Sequence, residues 1–277
     1  TATETWNGSN WTEVNDMNTA RRGPPGGTGT QTSALCSGGR DPGQSPTYLA
    51  NNELWNGTSW FEVNDLNTAR RSLAMSSTDN TSALAFGGNA EPVIYSNTES
   101  WNGSVWTETN DLNTARSQPG GTGSSNTSAL AFGGDVPPST SATEEWNADF
   151  AYGVWASGGS LNTARNGNRG AGTTTAGLSF GGSAPPNTAA TEQYNGTAWT
   201  EVNDMNTARW SFAGNGTQTS ALAASGYIGP PSTAVVESWN GTNWTETTDV
   251  NSMRYGIAGA GADNTASIAF GGFVPPN

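Results

Sequence analysis

One phrase, written six times, leaves this chain few ways to fold. The unit WNGTSWFEVNDLNTARR, residues 55 to 71, returns in near-copy five more times. Its closing arginine falls at Arg21, Arg70, Arg116, Arg165 and Arg209, with Arg254 in the variant NSMR. Five intervals cover 254 − 21 = 233 residues, about 47 each, a period that belongs to propeller blades. Each interval divides into the same pieces. After the arginine comes a Gly- or Ser-rich segment such as SLAMSST or YGIAGAG. Its small residues suit a strand crowded against a central axis. A short apolar run, SALAFGG, then ends in a glycine pair. A variable Pro/Ser/Thr loop leads to a hairpin of the form TESWNG–WTETND.

The repeat therefore predicts an all-β fold: a closed six-bladed propeller with four antiparallel strands per blade, the last blade shared between the two ends of the chain. The intervals between glycine pair and aromatic support the sharing. Gly88 to Trp101 is 13 residues, and Gly134 to Trp146 and Gly182 to Tyr194 are 12 each. Joining the termini gives 11 from Gly272 to Trp6, and GGFVPPN plus TATETWNG reads like the internal GGSAPPNTAATEQYNG. One domain over 1–277 follows, with blades near 22–66, 71–112, 117–161, 166–205, 210–250 and 255–277 plus 1–17. Closure removes exposed sheet edges; an open solenoid is the alternative.

The hairpins carry Asn-Gly at Asn7, Asn56, Asn102, Asn195 and Asn240, which predicts two-residue type I′ turns with positive φ at both central residues. The sequons there read as by-products of turn chemistry, glycosylation being the alternative. Tryptophans flank each turn five residues apart, as in Trp55 and Trp60. That separation predicts rings offset in register that pack blade to blade, with a sugar-stacking platform as the alternative.

Glycine pair, spaced aromatics and the NTAR segment together resemble the kelch repeat over essentially the whole chain. Departures are the Trp in place of the usual tyrosine and the fifth unit, ALAASGYIG, which lacks the glycine pair. The wording TEEWNG…LNTAR…TSALAFGG also resembles repetitive propeller proteins of marine bacteriophages, especially those infecting cyanobacteria. In kelch domains that bind acidic peptides, arginines at the start of the inner strand contact the ligand. The resemblance thus implies a contact role for Arg21, Arg70, Arg116, Arg165, Arg209 and Arg254 around the channel mouth.

Composition narrows the chemistry. With no histidine and no lysine, the commonest general base and the amine nucleophile are missing. Kelch-like oxidases hold copper through histidine, which this chain cannot supply. Glu144 and Glu145 are adjacent, so on a strand they face opposite sides and form no dyad. Cys36 reads as a small buried hydrophobe. NDLNT has too few carboxylates for a calcium loop and suits an Asx turn. No catalysis, metal or cofactor is expected; an unusual carboxylate hydrolase is the outlying alternative. A net charge of −13, from 23 acids against 10 arginines, disfavours nucleic acid. No apolar run reaches the roughly 20 residues of a membrane span. The opening at Thr1 rather than Met suggests a processed chain or a piece of a longer one.

The arginines have a competing structural reading. Five carry an aspartate five residues earlier (Asp16, Asp65, Asp111, Asp204, Asp249), which suggests an ion pair locking blade to blade. The segment before Arg165 lacks it, which would leave that arginine freer. Contact residues are also expected where repeats differ: Tyr48 in the long loop 40–52, and Phe150 and Tyr152 in the loop 147–154 on the opposite face. Each could instead cover a neighbouring blade or subunit. The functional expectation is a non-enzymatic binding or structural module on a virion or extracellular surface, such as a tail-fibre domain. Its partners would be other surface proteins, host glycan, or a second copy. A secreted glycan-binding lectin is the alternative.

Overall fold

The computed structural model describes residues 1–23, 26–43, 47–148, 153–230 and 232–275. Among them there is no helix, and the strands build six four-stranded antiparallel blades arranged as a propeller. From the axis outward, the first blade is Gly26–Thr30, Ser33–Ser37, Asn52–Trp55 and Trp60–Val63. The second is Ala74–Ser76, Ala83–Phe86, Thr98–Trp101 and Trp106–Glu108, with a small ribbon, Asn89–Ala90 against Val93–Ile94, beside it. The third is Gly120–Ser125, Ser128–Phe132, Thr143–Asn147 and Val154–Gly158; the fourth, Arg169–Gly172, Gly177–Phe180, Thr191–Tyr194 and Trp199–Glu201. The fifth is Ala213–Thr217, Ser220–Ala224, Val236–Trp239 and Trp244–Thr247. In the sixth, Tyr255–Gly261 and Ser267–Phe273 pair with Thr3–Trp6 and Trp11–Val14, in the register Thr3↔Phe270 to Trp6↔Ser267. Innermost strands touch in cyclic order, the sixth lying against the first.

The core sits in the seams between blades. Phe270 of the sixth blade packs on Trp60 of the first at 4.9 Å, and Phe86 of the second on Trp155 of the third at 5.1 Å. The outer Trp also reaches the preceding blade by its indole N–H, Trp60 to Thr3 Oγ1 at 3.1 Å and Trp155 to Thr98 Oγ1 at 3.0 Å. The inner Trp donates to a turn carbonyl, Trp55 to Gln31 at 2.9 Å. Burying a large ring while satisfying its one donor is what makes Trp useful in such a seam.

Two expectations about the hairpin need correction. Trp6 and Trp11 are direct cross-strand partners, as are Trp55 and Trp60, with ring centroids 5.4 Å apart in both pairs. The connection is a four-residue loop, so a separation of five makes the flanking residues opposite. Only the glycine takes positive φ, +90° at Gly8. Asn7 instead closes the loop with its side chain, Oδ1 accepting the N–H of Ser9 at 3.0 Å and of Asn10 at 2.9 Å. The fifth unit keeps the glycine-pair geometry without the pair. Ser225 adopts φ +61° there, and its hydroxyl donates to the carbonyls of Thr233 at 2.9 Å and Arg254 at 2.7 Å.

Candidate functional site

The six repeat arginines do not stand at the mouth of the channel; their side chains run into the blades and are buried, Arg21 at 1% exposure and the others at 0%. Each meets a glutamate on the third strand of the blade it enters. Glu53 Oε2 accepts the backbone N–H of Asn18 at 2.7 Å and its side-chain amide at 3.0 Å. Glu53 Oε1 accepts the Thr19 N–H at 3.1 Å and Arg21 Nη2 at 2.6 Å. Arg21 Nη1 then donates to the carbonyls of Gly38 at 2.9 Å and Asn51 at 2.8 Å. One carboxylate thus grips the linker and its arginine together.

The clamp recurs as Arg70–Glu99, Arg116–Glu144, Arg165–Glu192 at 2.8 Å, Arg209–Glu237, and Arg254–Glu4 at 2.9 Å. In every copy the asparagine three residues before the arginine donates both its N–H groups to the same glutamate. Burial lowers the pKa of Arg116, Arg165, Arg209 and Arg254, and the paired glutamate opposes that shift.

The aspartates are not the partners. Among the described residues none of Asp16, Asp65, Asp111, Asp204 and Asp249 forms the ion pair. Asp16, Asp111 and Asp204 accept the backbone N–H of Thr3, Thr98 and Thr191 at 3.3, 3.2 and 3.1 Å. The aspartate leaves the outer strand of one blade and turns back onto that blade, whereas the arginine reaches forward into the next. Arg165 is not freer for lacking an aspartate: it holds Glu192 and also donates to Ser179 Oγ at 3.0 Å. The glutamate was legible, since Glu4, Glu53, Glu99, Glu144, Glu192 and Glu237 each stand two residues before the aromatic. Glu144 and Glu145 do face opposite ways, Glu144 into its clamp and Glu145 to the hydroxyl of Tyr194.

Variation between blades collects one residue beyond the clamped arginine. That residue pairs with the one after the glycine pair, at the rim of the channel. Five such pairs are isolated bridges: Arg22 with Arg40, Arg71 with Asn89, Ser117 with Asp135, Asn166 with Ser183, and Trp210 with Tyr227. The sixth, Tyr255 with Phe273, is part of its blade. One side of the rim is therefore polar, and the other gathers arginines and aromatics. Ring centroids run Trp210–Tyr227 5.8 Å, Tyr227–Tyr255 5.3 Å, Tyr255–Phe273 5.5 Å. The Arg22 guanidinium lies over Phe273 at 5.7 Å. Arg22, Arg40, Arg71, Tyr255 and Phe273 line a cavity of about 230 Å³.

Tyr48 belongs to this neighbourhood: it bridges to Arg40, Arg71 lies 6.0 Å over its ring, and its hydroxyl accepts the Glu91 N–H at 3.0 Å. Arg40 and Tyr48 thus join the rim, and Tyr48 holds the second blade. Phe150 and Tyr152 lie outside the described residues. No protein-family model and no curated protein matches this chain.

Proposed function

We propose that this is a kelch-type propeller, closed through its shared blade, acting as a non-enzymatic binding module that meets an anionic partner at the arginine–aromatic side of the rim. The carrying observation is a contrast within each repeat. The clamp residues are the same in all six blades, while the rim pairs differ in every one. Of the 10 arginines, six are in clamps and three of the remaining four, Arg22, Arg40 and Arg71, line one rim cavity. On a chain of net charge −13 that concentration supports recognition of carboxylate-rich surfaces. The setting proposed is a virion or extracellular surface, with a surface protein as partner; absence of lysine and sparse charge suit exposure to proteases. The aromatic run beside the arginines favours a second reading, an acidic host glycan stacked on Tyr255 and Phe273.

The test measures binding of the Arg22→Ala/Arg71→Ala variant and the native chain to an acidic peptide and to an acidic polysaccharide across a salt series. Salt-sensitive binding of one ligand by the native chain, lost in the variant with its melting temperature kept, supports the reading and chooses between partners. Binding of neither ligand, or equal binding by both proteins, overturns it.

A further inference from the structure

The innermost strands line an axial cavity of about 400 Å³, lined by glycine, alanine, threonine and asparagine for the most part. One residue stands out from this lining by its charge. Aligned by cross-strand register, the innermost strands carry Gly26, Ala74, Gly120, Ala213 and Ala258 at one level, and Arg169 in the fourth blade. Arg169 is the sole charged residue among the described residues lining the cavity.

Its surroundings neutralise it incompletely. Nε donates to the Phe212 carbonyl at 2.6 Å, Nη2 to the Ile257 carbonyl at 3.2 Å, and Nη1 only to the Asn168 carbonyl at 3.5 Å. A guanidinium offers five N–H donors, so donors are left over. No carboxylate among the described residues pairs with it, and burial pushes its pKa down to about 10. It remains a half-buried cation at neutral pH with no carboxylate partner among the described residues.

A second polar departure lies two residues further along the adjacent inner strand. Asn215, on the adjacent inner strand, is 8% exposed and lines the cavity. Its Oδ1 accepts from Ser267 Oγ at 2.7 Å, while its Nδ2 has no acceptor. At the same level of other blades, Thr28 and Thr122 donate to the carbonyls of Ser77 and Gly172. Asn215 thus turns its amide into the seam with the sixth blade, and the donors left over towards the cavity are those of Arg169.

We propose that the axial cavity is a binding site for a small oxoanion, a carboxylate or phosphate, held by Arg169. The site is independent of the rim. Nothing covalent is involved; the oxoanion supplies the counter-charge and the missing acceptors.

Calorimetric titration of the native chain with glucuronate, inorganic phosphate and uncharged glucose tests this. The expected result is saturable one-to-one binding of at least one anion and silence from glucose. Arg169→Ala restores the residue found in three other blades, so folding is expected to survive. Arg169→Gln keeps much of the stem without the charge, should alanine leave too large a void. Loss of a charged hydrogen bond should weaken the anion about tenfold or more in either variant. Arg22→Ala/Arg71→Ala should leave it unchanged. Absence of saturable anion binding, equal binding of glucose, or undiminished affinity in folded Arg169 variants overturns the proposal. Loss of binding only in the rim variant also overturns it and moves the anion to the rim.

Discussion

Arg70 and Arg71 are consecutive in the chain and sit in opposite environments. The Arg70 guanidinium and Glu99 are both 0% exposed, whereas the Arg71 side chain is 22% exposed and its partner Glu91 62%. The first pair also fixes a linker, since Glu99 accepts from the backbone of Asn67. The second lies at the rim, where Arg71 also covers Tyr48. Removing one member of a buried pair strands an uncompensated charge, while exposed pairs contribute little. A repeat can therefore hold one arginine constant as frame and vary its neighbour as surface without the two roles interfering.

The largest expected effect comes from removing the frame where both ends of the chain meet. Deleting residues 1–17 strips Ser267–Phe273 of its pairing strand and Arg254 of Glu4. Loss of cooperative melting, or aggregation through the bared edge, is expected. A truncated chain that melts as sharply and as late as the intact one breaks the shared-blade reading.

Next in size is the direct contrast. Glu99→Ala is expected to cost about 3–5 kcal/mol, and Glu91→Ala about 0–1 kcal/mol. Urea denaturation of the two variants side by side checks this, and equal losses would erase the distinction between frame and rim.

The frame also holds groups that respond to alkali. Burial pushes the Cys36 thiol up to about 12 from an ordinary value near 9. Burial and the hydrogen bond to Glu145 push the Tyr194 hydroxyl up to about 12 from 10. Folding favours the protonated form of both, so their stabilisation is complete below the ordinary values and is lost as pH rises towards 12. Melting temperature is expected to fall through that window, and Tyr194→Phe should flatten part of the fall. An identical slope in the variant would remove Tyr194 from the account.

The smallest effect is a gain. Trp11 is the one outer tryptophan whose buried indole N–H finds no acceptor among the described residues. Trp60, Trp155, Trp199 and Trp244 each donate to a threonine on the blade before. Asn52 takes that place for Trp106 when its amide is oriented to accept at 3.0 Å. Facing Trp11, the corresponding residue is Val236, so Val236→Thr should add about 1 kcal/mol. Unchanged or lowered stability in a thermal melt would show that the repeats are not interchangeable at that seam.

Much of the frame was legible because it is periodic. Six copies of one phrase specify six four-stranded blades, small residues mark the strand nearest the axis, and alternation along TEEW sends Glu144 and Glu145 to opposite sides. The ion pairs were half legible. Arginine and carboxylate both recur, but two carboxylates recur with it, an aspartate five residues back and a glutamate 29 residues ahead in the case of Arg70 and Glu99. Sequence proximity favours the aspartate; only packing shows that the linker carries the arginine past one blade and into the next. Of the rim only Tyr48 was singled out from the sequence, and the pairing of rim residues and the place of Arg169 in the axial cavity were not legible. Arg22 meets Arg40 because two antiparallel strands bring residues 18 apart to one edge. Arg169 reaches Ile257, 88 residues away, because inner strands converge on an axis. Local pattern sets which residues form strands and which face they present. Which side chains then share a space depends on how six sheets crowd together, and that is decided by tertiary packing.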